Sequence, residues 1–86
     1  MFYVYILRSQ KDKELYVGFT EDLQRRMKEH ARGNVSSTRQ RRPLDLLCYE
    51  AYHYKEEAQS REVYLKSSDG KKDLRKRLTK SLMEGC

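Results

Sequence analysis

The 86-residue chain reads as an α+β domain, a small three-stranded, mostly antiparallel sheet flanked by helices in the order β-β-α-β-α-α. Three observations point there. Two short runs near the start, "FYVYIL" (Phe2 to Leu7) and "ELYVG" (Glu14 to Gly18), alternate tyrosine with aliphatic residues in the period of two that suits a half-buried strand. A third, more apolar run, "LDLLCYEAY" over 44–52, follows only after a long polar stretch. Between and after these runs the pattern changes to a helical period with charged faces.

The elements follow in order. Residues 2–8 and 14–18 are strands joined by the polar "SQKDK", the pattern of a hairpin. "EDLQRRMKEHARG" is a helix, with Thr20 as its cap, Glu21 and Asp22 at its positive end and Gly33 at its C-terminal stop. A basic loop, "NVSSTRQRRP", leads from Asn34 to Pro43 and the strand at 44–52. "KEEAQSREVYLKSS" is a second helix, and Lys71 to Met83 a third with Leu74, Leu78 and Leu82 on one stripe. No repeat or linker divides the chain, so one domain over 1–86 is expected.

Composition bounds the function. Nineteen Lys and Arg against thirteen Asp and Glu give a net charge of +6, and the sequence pI is near 9.4. Such a balance suits a polyanion, because basic side chains release counterions from phosphates; a soluble domain that is merely basic is the other reading. No run approaches the roughly 18 apolar residues of a membrane span, and the first residues carry no basic leader or cleavage site. Cys48 and Cys86 are far apart, with only His30 and His53 beside them. Neither a zinc site nor a disulfide framework is expected, and the default setting is the reducing cytoplasm. A monomer is expected.

Alternation puts Val4 and Ile6 on one face of the first strand and Tyr3, Tyr5 and Leu7 on the other. In the second strand Leu15 and Val17 oppose Tyr16. Tyr5 and Tyr16 therefore project together from neighbouring strands. They are either a cross-strand aromatic pair contributing about 0.2–1 kcal/mol or hydroxyls placed for chemistry, and strand geometry leaves both open. In the first helix Leu23, Met27 and Ala31 form the apolar stripe, and Arg26 and His30 lie within about 60° of Leu23. Arg26 is a snorkelling side chain or a site cation, and His30 a satisfied boundary histidine or a catalytic one. Arg25, Lys28, Glu29 and Arg32 point away as a solvated face. In the second helix Glu62 falls among Tyr54, Ala58 and Leu65, roughly 40° from Ala58. A carboxylate there is paired with a basic residue, bound to a cation or shifted in pKa. Glu56 and Glu57 read as N-terminal helix charges.

Two tyrosines, an arginine, a histidine and a carboxylate thus sit on elements that can converge, the set that phosphodiester hydrolysis requires. A base activates water, a cation stabilises the equatorial oxygens, and a metal holds the scissile phosphate. At this point the sequence resembles the GIY-YIG endonucleases. "YVY" (Tyr3-Val4-Tyr5) and "YVG" (Tyr16-Val17-Gly18) correspond to the two name-giving triplets, "RMKEH" carries Arg26 and His30 in the Arg-x-x-x-His pattern, and "EAQSREVYLK" resembles the segment with the metal-binding glutamate. The resemblance runs from Phe2 to about Lys66. Three departures stand out. Tyr3 replaces the first glycine of the name, Phe19 stands where the excision-repair members have lysine, and residues 67–83 lack the asparagine that many members place beyond the glutamate.

The resemblance implies a metal-dependent endonuclease acting on DNA, structure-selective or weakly sequence-selective, in repair or processing. It implies catalytic roles for Tyr5, Tyr16, Arg26, His30 and Glu62. Glu62 would hold one Mg²⁺ or Mn²⁺, Arg26 would neutralise transition-state charge, and Tyr5 would be the general base with Tyr16 positioning water or sharing that role. His30 would hydrogen-bond a tyrosine or a phosphate oxygen. Ser37, Thr38, Arg39, Arg41 and Arg42 in the loop, with Lys71 and Lys72 and then Arg75 and Lys76, are the expected phosphate contacts. The alternative is a nucleic-acid-binding module on the same fold that cleaves weakly or not at all.

Overall fold

The structure, a computed structural model, describes residues 1–84; Cys86, expected to stay unpaired, lies outside the described residues. It contains β1 (Phe2–Ser9), β2 (Leu15–Thr20), α1 (Leu23–Arg32), a short 3-10 turn (Arg39–Arg41), β3 (Leu44–Tyr52), α2 (Lys55–Lys66), α3 (Ser68–Arg77) and α4 (Thr79–Glu84). The three strands form one antiparallel sheet in the order β2-β1-β3. The α+β class and the expected hairpin are therefore what the chain adopts.

The central strand is buried on both faces, and the two faces are covered differently. Val4 and Ile6 meet Val17 from β2, Ala58 and Leu65 from α2, and Leu74 from α3, which together make the apolar core. Fully burying each of these larger side chains contributes about 1.5–3 kcal/mol. The opposite face carries Tyr5 and is covered by α1, whose one buried residue is His30. An ion pair between Arg61 and Glu50 (2.9 Å) ties α2 to β3.

β3 is irregular. Ile6 pairs with Cys48 but Leu7 pairs with Leu46, so Leu47 is an extra residue in a bulge. Leu47 and Cys48 both pack towards the core, and the shifted phase places Leu46 and Leu44 opposite Leu7 and Ser9, on the tyrosine face.

Several expectations are corrected. Thr20 ends β2 rather than capping α1; Asp22 is the cap, its carboxylate accepting from the Arg25 amide at 3.1 Å. The Thr20 hydroxyl is occupied with the Asp22 backbone. Gly33 does stop the helix, in a left-handed conformation (φ 81°) that favours glycine. The inward line of α1 is the half-buried Leu23 and Met27 with the buried His30, and Ala31 is exposed, because His30 has hydrogen-bond partners inside. Glu29, expected to be solvated, pairs with Arg26 at 3.0 Å. Tyr54 precedes α2 as its cap residue and is exposed.

The third helix starts earlier, at Ser68, because the Ser67 hydroxyl accepts from the Gly70 amide. It also breaks at Leu78, where Thr79 Oγ1 donates to the carbonyls of Arg75 and Lys76. A side chain competing for helical carbonyls weakens the continuous helix that the leucine spacing predicts.

Replacing Leu65, fully buried in the core, by alanine is expected to cost about 2–5 kcal/mol in chemical denaturation. Val63→Ala, on the exposed side of the same helix, is expected to stay within about 0.5 kcal/mol. Equal losses from the two would contradict the assigned faces.

Candidate active site

The site is organised around Tyr5 on the central strand. Its residue exposure is 0%, yet its hydroxyl is fully engaged: it shares a 2.8 Å hydrogen bond with His30 Nε2 and accepts a longer one from Arg26 Nε at 3.4 Å. A tyrosine fits in the centre of the sheet because its β2 partner is Gly18. A Cβ at that position would overlap the Tyr5 ring and hydroxyl, so the glycine of "YVG" provides the space its partner ring occupies.

Tyr16, next along β2 but half-buried, completes an aromatic triangle. The Tyr5–Tyr16 centroids lie 6.3 Å apart, and His30 stands edge-on to both rings at 5.5 Å. The expected cross-strand aromatic pair is therefore present, and it also contacts the histidine. The Tyr16 hydroxyl accepts from Ser37 Oγ at 3.4 Å.

His30 is held from both sides. Its Nδ1 lies 2.7 Å from Thr38 Oγ1, and Thr38 is itself 0% exposed. Thr38 therefore faces the interior instead of offering its hydroxyl to a nucleic acid, which corrects the expectation for this residue. The loop curls over the end of α1 and the threonine fixes the imidazole. Burial pushes the His30 pKa below its usual value, with the Arg26 charge adding to the shift. The imidazole is thus neutral near pH 7, with one nitrogen donating and the other accepting.

Burial also raises the Tyr5 phenol, pushed up to about 12. Arg26 opposes this, while Tyr16 and the Glu62 charge reinforce it. Arg26 is kept charged by the Tyr5 hydrogen bond first and Glu29 second, against a partial cost of desolvation. Its guanidinium is half-exposed, with Nη1 on Glu29 and Nε aimed at Tyr5.

Glu62 is bonded to none of these four side chains. Its side chain is 22% exposed and pairs with Lys66, one helical turn on, at 3.1 Å. The ion pair left open by the sequence does exist. Such a pair with a half-exposed lysine contributes at most about 0.3–0.5 kcal/mol, so a competing cation displaces Lys66 at little cost. Among the described residues no three His, Cys, Asp or Glu side chains form a metal-binding group. A single carboxylate does not suit zinc, which takes three or four protein ligands. It does suit Mg²⁺, which retains waters and takes substrate phosphate oxygens beside one or two carboxylates.

The arginines of the loop are partly committed to the fold. Arg39 Nε donates to the Gly33 carbonyl and Arg42 Nη1 to that of Ala31, while Arg41 pairs with Asp12 at 3.1 Å. Arg39 and Arg42 remain exposed. Lys71 and Arg75 line a groove with Lys66 and Tyr16, which brings part of the basic start of α3 beside the site. Lys72 and Lys76 are exposed on α3, outside that groove. Sequence reasoning assigned no role to Glu29, Gly18 or Lys66. The i,i+3 and i,i+4 spacings to Arg26 and Glu62 signal two of them, and Gly18 ends the "YVG" triplet.

The family model for the GIY-YIG catalytic domain matches residues 1–77. The chain belongs to the GIY-YIG family. Among curated relatives, the UPF0213 protein CPE1444 of Clostridium perfringens is 42% identical over 85 residues, covering 98% of this chain and 90% of the relative. A UPF0213 protein of Streptococcus pyogenes is 43% identical over 65 residues, 74% of this chain and 70% of its own length. The solution structure of the UPF0213 protein BH0048 from Bacillus halodurans superimposes with a TM-score of 0.55 at 41% identity, covering 86% of this chain and 82% of that one. GIY-YIG domains form a nuclease superfamily, so nucleic acid is the class of partner. No described helix is long and apolar enough to cross a membrane.

Two stability measurements check the geometry. Tyr5→Phe keeps the ring but leaves His30 Nε2 without its buried partner, and is expected to cost about 1–3 kcal/mol. A depressed histidine pKa means the unfolded chain binds more protons below its ordinary value near 6.5. Stability is then present above that pH and falls as pH drops through the lower folded value. The melting temperature should decline as pH falls below about 6.5, and His30→Gln should flatten that decline. An unchanged profile in the variant would place the acid sensitivity elsewhere.

Proposed function

We propose that this protein is a metal-dependent endonuclease that hydrolyses phosphodiester bonds in DNA, with structure-selective or weak sequence selectivity, in repair or processing. The 86 residues act as one nuclease domain in a reducing, cytoplasmic setting. The observation that carries this reading is the convergence of Tyr5, Tyr16, Arg26 and His30 into one cluster of hydrogen bonds and edge-on ring contacts, with the Glu62 charge bearing on it.

Each residue receives a task from its surroundings. Arg26 presents its charge at the edge of the cluster, where it stabilises the equatorial oxygens of the phosphate in the transition state. Glu62 is the protein ligand for one Mg²⁺ or Mn²⁺, which when bound polarises the phosphate and stabilises the leaving oxygen. The sequence-based assignment of Tyr5 as general base is revised in this proposal. A fully buried phenol raised to about 12 is almost never ionised at neutral pH. Tyr16 reaches solvent and is the better acceptor for the proton of the attacking water. Tyr5 then orients His30 and Arg26, and the neutral His30 keeps the aromatic triangle in place. The basic groove holding Lys66 and Lys71 beside Tyr16, with Ser37, Arg39, Arg41, Arg42 and Lys72 further out, engages the flanking phosphates.

Incubation with flap, branched, single-stranded and duplex DNA, with and without Mg²⁺ or Mn²⁺, tests the activity. Metal-dependent nicking is expected, with Glu62→Gln reducing it by about 100-fold or more while the melting temperature holds. Tight binding without products under either metal would leave a binding module in place of the nuclease. Most of the activity should vanish in Tyr16→Phe; a Tyr16→Phe enzyme of full activity would return the base role to another group.

A further inference from the structure

A second feature lies on the same sheet face, on the far side of His30 from Tyr5. Between α1, the 34–43 loop and the sheet is a cavity of about 610 Å³, within the roughly 300–1,000 Å³ of small-ligand sites. It arises because α1 is held to the tyrosine face by long side chains rather than by close backbone approach. The β3 bulge supplies its floor by turning Leu44 and Leu46 onto this face next to Leu7. Met27 and the His30 ring form the helix wall.

The rim has one sign of charge. Lys11, Arg39 and Arg42 surround the opening, and no carboxylate lines the cavity. Arg39 commits only Nε to the Gly33 carbonyl, which leaves its terminal amino groups for an anion. Gln40, also at the rim, offers an amide that can both donate and accept, as the edge of a base requires. An apolar slot with a cationic rim matches a flat heterocycle joined to a phosphate. It does not match an acidic peptide, which would bring charge to the leucine floor, or a purely apolar ligand, which would leave the rim unused.

We propose that this cavity holds one unstacked nucleotide of the substrate strand, its base against Leu7, Met27 and Leu46 and its phosphate on Arg39 and Arg42. The inference rests on the nuclease reading for its choice of ligand. His30 is the common wall: one ring nitrogen positions Tyr5 while the ring closes the slot, so the strand that enters the cavity is set next to the phosphate to be cut. Selection for structure follows, because a base within an intact stack cannot enter.

The test is methyl NMR on the whole protein without divalent metal, so that no cleavage occurs. The probes are a short single-stranded oligonucleotide, the same oligonucleotide with one abasic site scanned along it, and free dAMP. The intact strand is expected to shift the Met27 and Leu46 methyl resonances upfield through the ring current of the base. One abasic position should abolish those shifts and weaken binding by about tenfold. Leu46→Glu, at a side chain 42% exposed and so compatible with folding, should weaken the intact strand equally and become insensitive to the abasic site. Binding that leaves the Met27 and Leu46 methyls unshifted, or cavity shifts that survive every abasic position, would overturn the slot while leaving the nuclease reading standing. Cavity shifts with dAMP but not with the strand would replace the strand by a free nucleotide. Absence of any binding, together with absence of metal-dependent nicking, would overturn both readings.

Discussion

The structure depends on one buried imidazole held from both sides. His30 connects Tyr5 in the central strand to Thr38 in the loop, through contacts of 2.8 and 2.7 Å among residues with almost no exposure. A buried polar group left unsatisfied costs more than its hydrogen bond gains, so the three side chains form or fail together. That requirement rotates α1 so that His30 rather than Ala31 lies inside. It also folds the 34–43 loop over the helix end and holds α1 off the sheet far enough to leave a cavity. Arg26, one turn before His30, is carried by the same rotation to the Tyr5 hydroxyl.

The arrangement divides the two faces of a very small sheet between an apolar core and a polar cluster. The aliphatic face is closed by α2 and α3 around Val4, Ile6 and Leu65, and gains stability from burial of apolar area. The tyrosine face gains little in that way. It is held by directional bonds and ring contacts, and its open edges carry the charges that a phosphate would meet. A chain of this size buries only about 60% of its unfolded surface, so one face must provide most of the apolar core. The other face is then free to carry polar groups without dissolving the fold.

Much of this was legible in the residues. Period-two alternation correctly assigned Val4, Ile6 and Val17 to one face and Tyr5 and Tyr16 to the other, because strand geometry admits no other division. The spacing of Arg26 and His30 correctly placed both beside the sheet. Three features were not legible, each for a physical reason. Thr38 sits in a loop, where no periodicity predicts direction, and it turned inward because a buried nitrogen needed a partner. The bulge at Leu47 depends on pairing with a distant strand, so β3 alone gives no sign of it. The helix from Lys71 to Met83 had a continuous leucine stripe, but the Thr79 hydroxyl captures two carbonyls and breaks it at Leu78. The roles of the phenols also depended on burial, which alternation cannot supply: Tyr5 and Tyr16 share a face, but only Tyr16 reaches water.

The clamp that Thr38 and Tyr5 place on His30 fixes the orientation of the imidazole. Cleavage rates of Thr38→Val and Thr38→Ser test it most directly, since valine keeps the volume and loses the hydroxyl while serine restores it. A Thr38→Val protein is expected to fold but to cleave at least about tenfold more slowly, with most of the rate recovered in Thr38→Ser. A folded Thr38→Val protein that cleaves at the wild-type rate would contradict it.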